Sequence, residues 1–492
     1  MLTFDADLIF IWFLLALFAD SKTNRRFKDM ALTEQDFKNL PETGIDPDNS
    51  GKYQALLDDL QGNILKGHGR DYTVDIFVQW KSDDIPAVKE WIINFTKGYV
   101  TSAQLQADES RRYRDQKVSG SVFANFYLTR IGYETLGFEA FQIPKNQPFT
   151  MGMQYEGIRT SLGDPKVTDW EVGYQQKIHS LIAIADDDQD SLLKFANQIT
   201  QELSKIATVL HQENGFILRN KDGQVIEHFG FVDGISQPLF IKRDIVKAQA
   251  SDRNFSKWDP RAPLDLVLVK DPNGQTEDSY GSYLVYRKLE QNVKAFREDQ
   301  QALAQALKIQ NELAGAYVMG RFPDGTPVTI SDVPMHPRNP PNNFNYDQDL
   351  TATKCPFHAH IRKTNPRGDS VRNSNVNLEE ERGHRIARRA VSYGEKDLTN
   401  ASTEGSGLLF LCFQADIENQ FNFMQARWSN ANNFVKVGVG PDPLIGSPQG
   451  TQHWPTEWSK SSTQDYNFKL WVKMKGGEYF FAPSISSLKN LP

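Results

Sequence analysis

The sequence predicts an α+β fold of two ferredoxin-like halves, each a split β-α-β unit with an antiparallel sheet and peripheral helices. Three observations lead to it. Short apolar or alternating runs of strand length are followed by stretches with helical spacing. This strand-then-helix pair occurs twice before residue 230 and twice after residue 280. Further strand-like segments are present to pair antiparallel with them, the element order of a duplicated split β-α-β domain. Sequence similarity between the halves is negligible, so the expectation rests on order alone.

In chain order, residues 36–52 are polar and rich in Pro, Gly, Asp and Asn, as in an arm leading into a domain. Residues 73–80, TVDIFVQW, read as a strand and residues 85–95 as an amphipathic helix. Residues 122–128 supply a strand partner. Residues 179–185, HSLIAIA, form the next strand, and the acidic run behind them signals a helix starting near Gln189. Residues 282–286 precede a helix from about Leu289, and residues 407–413, GLLFLCF, precede one over 417–428. The irregular stretch at 240–262 marks the boundary. Residues 332–354, with several prolines and asparagines, read as an extended surface loop. The expected organisation is a leader at 1–29, an arm at 30–52, an N-terminal domain at 53–250 and a C-terminal domain at 251–492.

Composition narrows the function classes. With 39% hydrophobic residues, 24% charged and 31 phenylalanines, the chain is globular rather than disordered. A net charge of -7 gives no reason to expect nucleic acid or anionic lipid as partners. The two cysteines, Cys355 and Cys412, exclude a disulfide scaffold, a four-cysteine zinc site and covalent haem attachment. Residues 8–19, LIFIWFLLALFA, are the one strongly apolar run. It is shorter than the roughly 20 residues a membrane-spanning helix needs, and Asp5 and Asp7 stand where a signal peptide carries basic residues. The second methionine, Met30, opens ordinary soluble sequence. A cytoplasmic protein is expected, with anchoring or export through residues 1–29 as the alternative.

Three segments carry candidate chemistry. In FGFVDGISQP, residues 229–238, Asp233 sits between Gly230 and Gly234 beside Phe231 and Val232. Such neighbours strip water from a carboxyl and suit it to proton transfer, although Asp-Gly is also a common turn. In CPFHAHIRKTNPR, residues 355–367, a strand would put His358, His360 and Arg362 on one face. Either both imidazoles hold zinc or non-haem iron, or one binds haem iron with a nearby arginine meeting a propionate. In GHRIARRAVSYG, residues 383–394, Arg385, Arg388 and Arg389 are interspersed with apolar residues. Together, an acid, an arginine and a haem-ligating histidine make a peroxidase constellation. The acid moves a proton between the two oxygens of hydrogen peroxide so that water leaves. The arginine stabilises charge as the O–O bond breaks, and the imidazole holds iron on the other face with a carboxylate raising its basicity.

With these motifs, from about residue 53 onward, the chain resembles the dye-decolorizing peroxidases of the longer fungal and bacterial type. GFVDG, HAHIRKTNPR and RIARRAVSYG match the family's three site segments, and LQGNILKGHGR, GSYLVYRKL and MGRFPDGTPV extend the likeness. The resemblance implies haem b as cofactor, bound mainly in the C-terminal half, hydrogen peroxide as oxidant, and dyes or phenolic and aromatic donors oxidised in one-electron steps. It makes Asp233 the distal acid, His360 the axial iron ligand, His358 a neighbour and Arg388 the distal arginine. Leu408 and Phe410 would border the distal pocket, and Tyr393 matches a position tied to electron relay to the surface. Arg362 is the expected propionate partner. Asp416, Glu418 and Asp442 are equal candidates for the carboxylate on the histidine's second nitrogen. A haem-binding or iron-handling protein with incidental activity, and a His-x-His zinc or non-haem iron enzyme, stay open as rivals.

Overall fold

The computed structural model describes residues 31–374 and 376–492. The leader expected at residues 1–29 lies outside them. Among the described residues no helix is long and apolar enough to cross a membrane.

The four strands of the first half are β1 (Tyr72–Trp80), β2 (Phe123–Leu128), β3 (Ser180–Asp186) and β4 (Ala207–Phe216). They lie antiparallel in the order β4-β1-β3-β2. The second half contributes β5 (Tyr280–Gln291), β6 (Val391–Tyr393), β7 (Gly407–Gln414) and β8 (Val472–Ala482). Their antiparallel order is β8-β5-β7-β6, the same fourth-first-third-second arrangement. This is the ferredoxin-like order in both halves. The two sheets are not separate, however. β4 meets β6 where Phe216 faces Ser392, and β8 meets β2 where Phe481 faces Leu128, so the strands close into one barrel. Two short strands, Val269–Lys270 and Ala387–Arg388, pair onto it from outside the ring.

Strand alternation decides what fills the barrel. Phe77 of β1 meets Tyr286 of β5 edge to face at 5.0 Å between ring centres. The Tyr286 hydroxyl donates to Asp75 Oδ2 at 3.1 Å, and Lys288 Nζ donates to Glu213 Oε1 at 2.9 Å. These contacts join walls that are not neighbours in the sheet, so the interior is a packed, partly ionisable core. On the outside, α1 (Ile85–Gly98) buries Val88, Ile92 and Phe95, and α2 (Gln189–Leu203) buries Leu192, Ala196, Ile199 and Leu203. The three-to-four-residue spacing gives each helix one apolar face, and each large side chain buried there contributes about 1.5–3 kcal/mol. Asp84 caps α1 by accepting from the Ala87 amide, and Asp188 caps α2 by accepting from the Ser191 amide.

Four local expectations need correction. The helix expected from Leu289 begins later, as α3 (Val293–Leu307): β5 runs on to Gln291 because β7 and β8 pair with it there, and Asn292 caps the helix. The helix expected over 417–428 is wound as π-helix at Glu418–Asn422 and Met424–Ser429. Residues 355–367 are not a strand. A turn in which the Ala359 amide donates to the Pro356 carbonyl leads into the short helix α4 (His360–Thr364), and no strand pairs with the segment. The stretch at 332–354 carries no helix or strand, but it is not simply surface, since Phe344, Tyr346 and Asp349 are buried.

Candidate active site

A cavity of about 500 Å³ lies on the outer face of the second half's strands. Arg287, Leu289 and Gln291 of β5, Leu408 and Phe410 of β7, and Val472 and Met474 of β8 line it. Its size is that of a cofactor or ligand pocket. The β7 alternation is plain: Leu409 and Leu411 are buried toward the barrel, leaving Leu408 and Phe410 for the cavity.

Asp233 reaches the cavity on a tight loop. Ile226 and Val232 form a bridge, the Glu227 amide donates to the Phe231 carbonyl at 3.1 Å, and the Asp233 amide donates to the Val225 carbonyl at 3.0 Å. Gly230 and Gly234 adopt φ of 98° and 76°, conformations that glycine takes without steric cost. The Arg388 side chain comes to meet this loop from the short strand that pairs with β7. Its Nη1 stands 3.3 Å from Asp233 Oδ1, its Nη2 donates to the Ile235 carbonyl at 3.0 Å, and its amide donates to Gln237 Oε1. Two residues 155 positions apart thus form one acid–guanidinium pair at the cavity.

His360 opens α4 and also lines the cavity. Its Nδ1 is 2.8 Å from Asp442 Oδ2, and Asp442 is buried, with Oδ1 accepting from the Leu444 and Ile445 amides. A carboxylate there holds the Nδ1–H tautomer and leaves Nε2 with its lone pair free. Of the three carboxylates the sequence offered, Asp442 is the partner. Asp416 instead caps the following turn, accepting from the Glu418 amide, and Glu418 is exposed. His358 points elsewhere, edge-on to Trp454 at 4.2 Å, and burial pushes its pKa well below the usual imidazole range. Among the described residues no three His, Cys, Asp or Glu side chains converge as metal ligands.

Two expectations about side chains do not survive the geometry. Arg362 is 1% exposed and stands outside the cavity lining. Its Nη1 donates to Asp349 Oδ2 at 2.9 Å and its Nε to Asp369 Oδ2 at 2.6 Å, so its charge is already matched by two carboxylates. Tyr393 is not at the surface. It is buried, its hydroxyl has no partner among the described residues, and the Lys288 ammonium sits 4.8 Å from its ring centre.

The structure adds residues that the motifs did not flag. Arg321 and Arg367, both buried, and Arg385, partly buried, line the cavity without a carboxylate partner among the described residues. Arg367 donates only to neutral oxygens, those of Asn342, Phe344 and Ser236. Burial lowers Arg367 to about 10 and Arg321 and Arg385 to about 9. Unmatched guanidinium groups around one cavity suit an occupant with carboxylates of its own, as haem has. Glu227 also lines the cavity. It accepts from the Phe229 amide at 2.8 Å, the Phe231 amide at 3.0 Å and Gln291 Nε2 at 2.6 Å, and burial raises its carboxyl to about 7. The donor set fits haem: His360 with a free Nε2, apolar walls, unmatched cations and an acid–arginine pair.

Comparison with known proteins agrees. Residues 59–217 match the family described as DyP dimeric alpha+beta barrel domain, and residues 242–436 match Dyp-type peroxidase, C-terminal. The multifunctional dye peroxidase DyP2 of Amycolatopsis sp. is 38% identical over 90% of this chain and 97% of its own length. Peroxidase 2 of Mycetinis scorodonius is 31% identical, over 88% and 87%. Among solved structures, a DyP-type peroxidase of Anabaena sp. is 63% identical, covers 94% of this chain and 100% of its own, and superposes with a TM-score of 0.93.

Proposed function

The chain belongs to the dye-decolorizing peroxidase family, and from that premise we propose a residue-level account of how it reduces hydrogen peroxide and oxidises dyes and aromatic donors. The observation that carries it is one cavity lined by the Asp233–Arg388 pair and by His360, whose Nδ1 is held from behind by Asp442. Haem b, when bound, supplies the iron and the conjugated ring that take up the oxidising power of the peroxide. His360 Nε2 would be its ligand, with Asp442 fixing the imidazole and raising its basicity. Arg367, assisted by Arg321 and Arg385, takes the propionate role first expected of Arg362. Leu408, Phe410 and Phe421 keep water from the cavity.

Asp233 takes a proton from hydrogen peroxide and returns it to the departing oxygen, which leaves as water. Arg388 orients that carboxylate through the 3.3 Å contact and stabilises negative charge as the O–O bond breaks. Donors then give up one electron each. The proposed units run over 53–250 and 251–492, the first contributing Asp233 and the second His360 and Arg388. A cytoplasmic setting suits the two buried free cysteines.

Asp233→Asn and Arg388→Leu are each expected to lower peroxide-driven dye turnover by about 10²-fold or more while haem absorption persists. His360→Ala should lose the Soret band and His358→Ala should keep it. Unchanged turnover in both cavity variants, with haem bound, would sink the account.

A further inference from the structure

A cavity of about 500 Å³ filled by haem has no room for a polycyclic dye. Such a donor must give its electron at the surface, to a side chain close to the cavity. That side chain needs three properties. It is an oxidisable aromatic, it is reachable from solvent, and a base stands ready for the proton that an oxidised phenol or indole sheds.

The tyrosines with carboxylate partners inside the barrel fail the second requirement. Tyr286 on Asp75 and Tyr174 on Glu213 are fully buried. Tyr393 fails twice, because its hydroxyl has no acceptor and an ammonium over its ring opposes loss of an electron. Tyr99, Tyr113 and Tyr155 are well exposed, but no carboxylate accepts from their hydroxyls among the described residues.

Among the described residues two sites meet all three, and one of them adjoins the cavity. Trp91, partly exposed and donating to Glu202 Oε2 at 3.0 Å, is the other: it sits on α1, none of whose residues line the cavity. Trp471 is partly exposed and stands between Leu470 and Val472, both of which line the cavity. Its backbone is therefore flanked on both sides by residues of the cofactor site. Its Nε1 donates to Asp299 Oδ2 at 2.9 Å, and the partly exposed Tyr466 donates its hydroxyl to the other oxygen of the same carboxylate at 2.5 Å. The Lys469 amide adds a third donor to Oδ2 at 2.8 Å. Asp299 sits on α3, which holds it rigidly between the two rings.

We propose that Trp471 and Tyr466 form the surface oxidation site for bulky aromatic dyes, with Asp299 as their shared proton acceptor. This deepens the peroxidase reading and rests on it. Trp471 yields one electron to the oxidising equivalent that peroxide leaves in the cavity, and its Nε1 proton passes to Asp299. A dye docked at the surface returns an electron to Trp471, Asp299 returns the proton, and the dye departs oxidised by one electron. Two such passages consume both equivalents of each peroxide reduced to water. Tyr466 exchanges its electron and hydroxyl proton through the same carboxylate.

The test compares a polycyclic anthraquinone dye with iodide, an ion small enough to reach the cavity, on the holoenzyme. In Trp471→Phe/Tyr466→Phe the ratio of dye to iodide turnover is expected to fall tenfold or more, and Asp299→Asn should lower it in the same direction. A ratio within twofold of the parent in the double variant overturns the proposal. Peptide mapping of the unmodified holoenzyme after peroxide without donor needs no variant. Oxidation products at Trp471 or Tyr466 support the site, and products confined to other aromatics overturn it. Loss of iodide turnover in the parent itself would strike the underlying peroxidase reading, which separates the two failures.

Discussion

The Arg362 guanidinium is held edgewise by Asp349 and Asp369 while its face lies 4.2 Å from the ring centre of Tyr346 and 4.4 Å from that of Phe357. Ionic partners raise its pKa despite burial. Removing the cation leaves Asp349 without a cationic partner in the interior, while Asp369 keeps Arg372 at 2.7 Å, and a broken buried pair costs about 3–5 kcal/mol. Arg362→Met should therefore lower the unfolding free energy by about that much in denaturant titration, a stability effect rather than a cofactor-binding one. Neither this role nor that of Arg367 was legible in the sequence. Both arginines stand in the same short motif, and only Asp349 of the preceding loop and Asp369, which opens the short helix that follows, separate a paired cation from an unpaired one. Asp233, His360 and Arg388 were legible because their motifs are local. Asp442 was legible only as one of three equal candidates, since its pairing with His360 spans 82 residues and depends on how the chain returns.

Among the elements, β7 was read correctly because GLLFLCF is an uninterrupted apolar run of strand length; its period of two appears only in the folded burial pattern. It also separates two kinds of substitution. Leu409→Ala empties a fully buried site in the barrel wall and should cost about 2–5 kcal/mol. Phe410→Ala opens the cavity wall, where the ring is only partly buried and packs on Phe421 at 5.9 Å, and should cost less. Denaturant midpoints of the two variants give the comparison directly. The same period misled at residues 355–367. Alternation of His358, His360 and Arg362 has no strand partner to stabilise it, whereas the Arg362 and Lys363 amides both find the Ala359 carbonyl at 2.9 Å and start a helix. Similarly, β5 outran its expected end because pairing with β7 and β8 continues past Leu289, a tertiary influence that local propensity does not contain.

At the scale of the whole molecule, element order was enough to foresee two ferredoxin-like halves but not their closure, which rests on single residue pairs at each seam. Closure places Asp75 deep between opposed walls, and burial there, with Glu213 nearby, raises its carboxyl from 3.8 to about 7. The folded state then holds a proton that the unfolded chain releases near pH 4. Folded protein binds more protons between about pH 4 and pH 7, so stability falls as pH rises through that window and levels off above it. Within the window the loss approaches about 1.4 kcal/mol for each step of one in pH. Asp75→Asn keeps an acceptor for Tyr286 and abolishes this loss, so its melting temperature relative to the parent should climb from pH 4 to pH 7. Closure also bears on how the protein is made. β8 follows every other barrel strand in the chain, yet it seals β5 to β2 and brings Val472 and Met474 to the cavity. A nascent chain on the ribosome therefore carries two open sheet edges until β8 emerges, and the pocket proposed for haem is complete only once that strand has been translated.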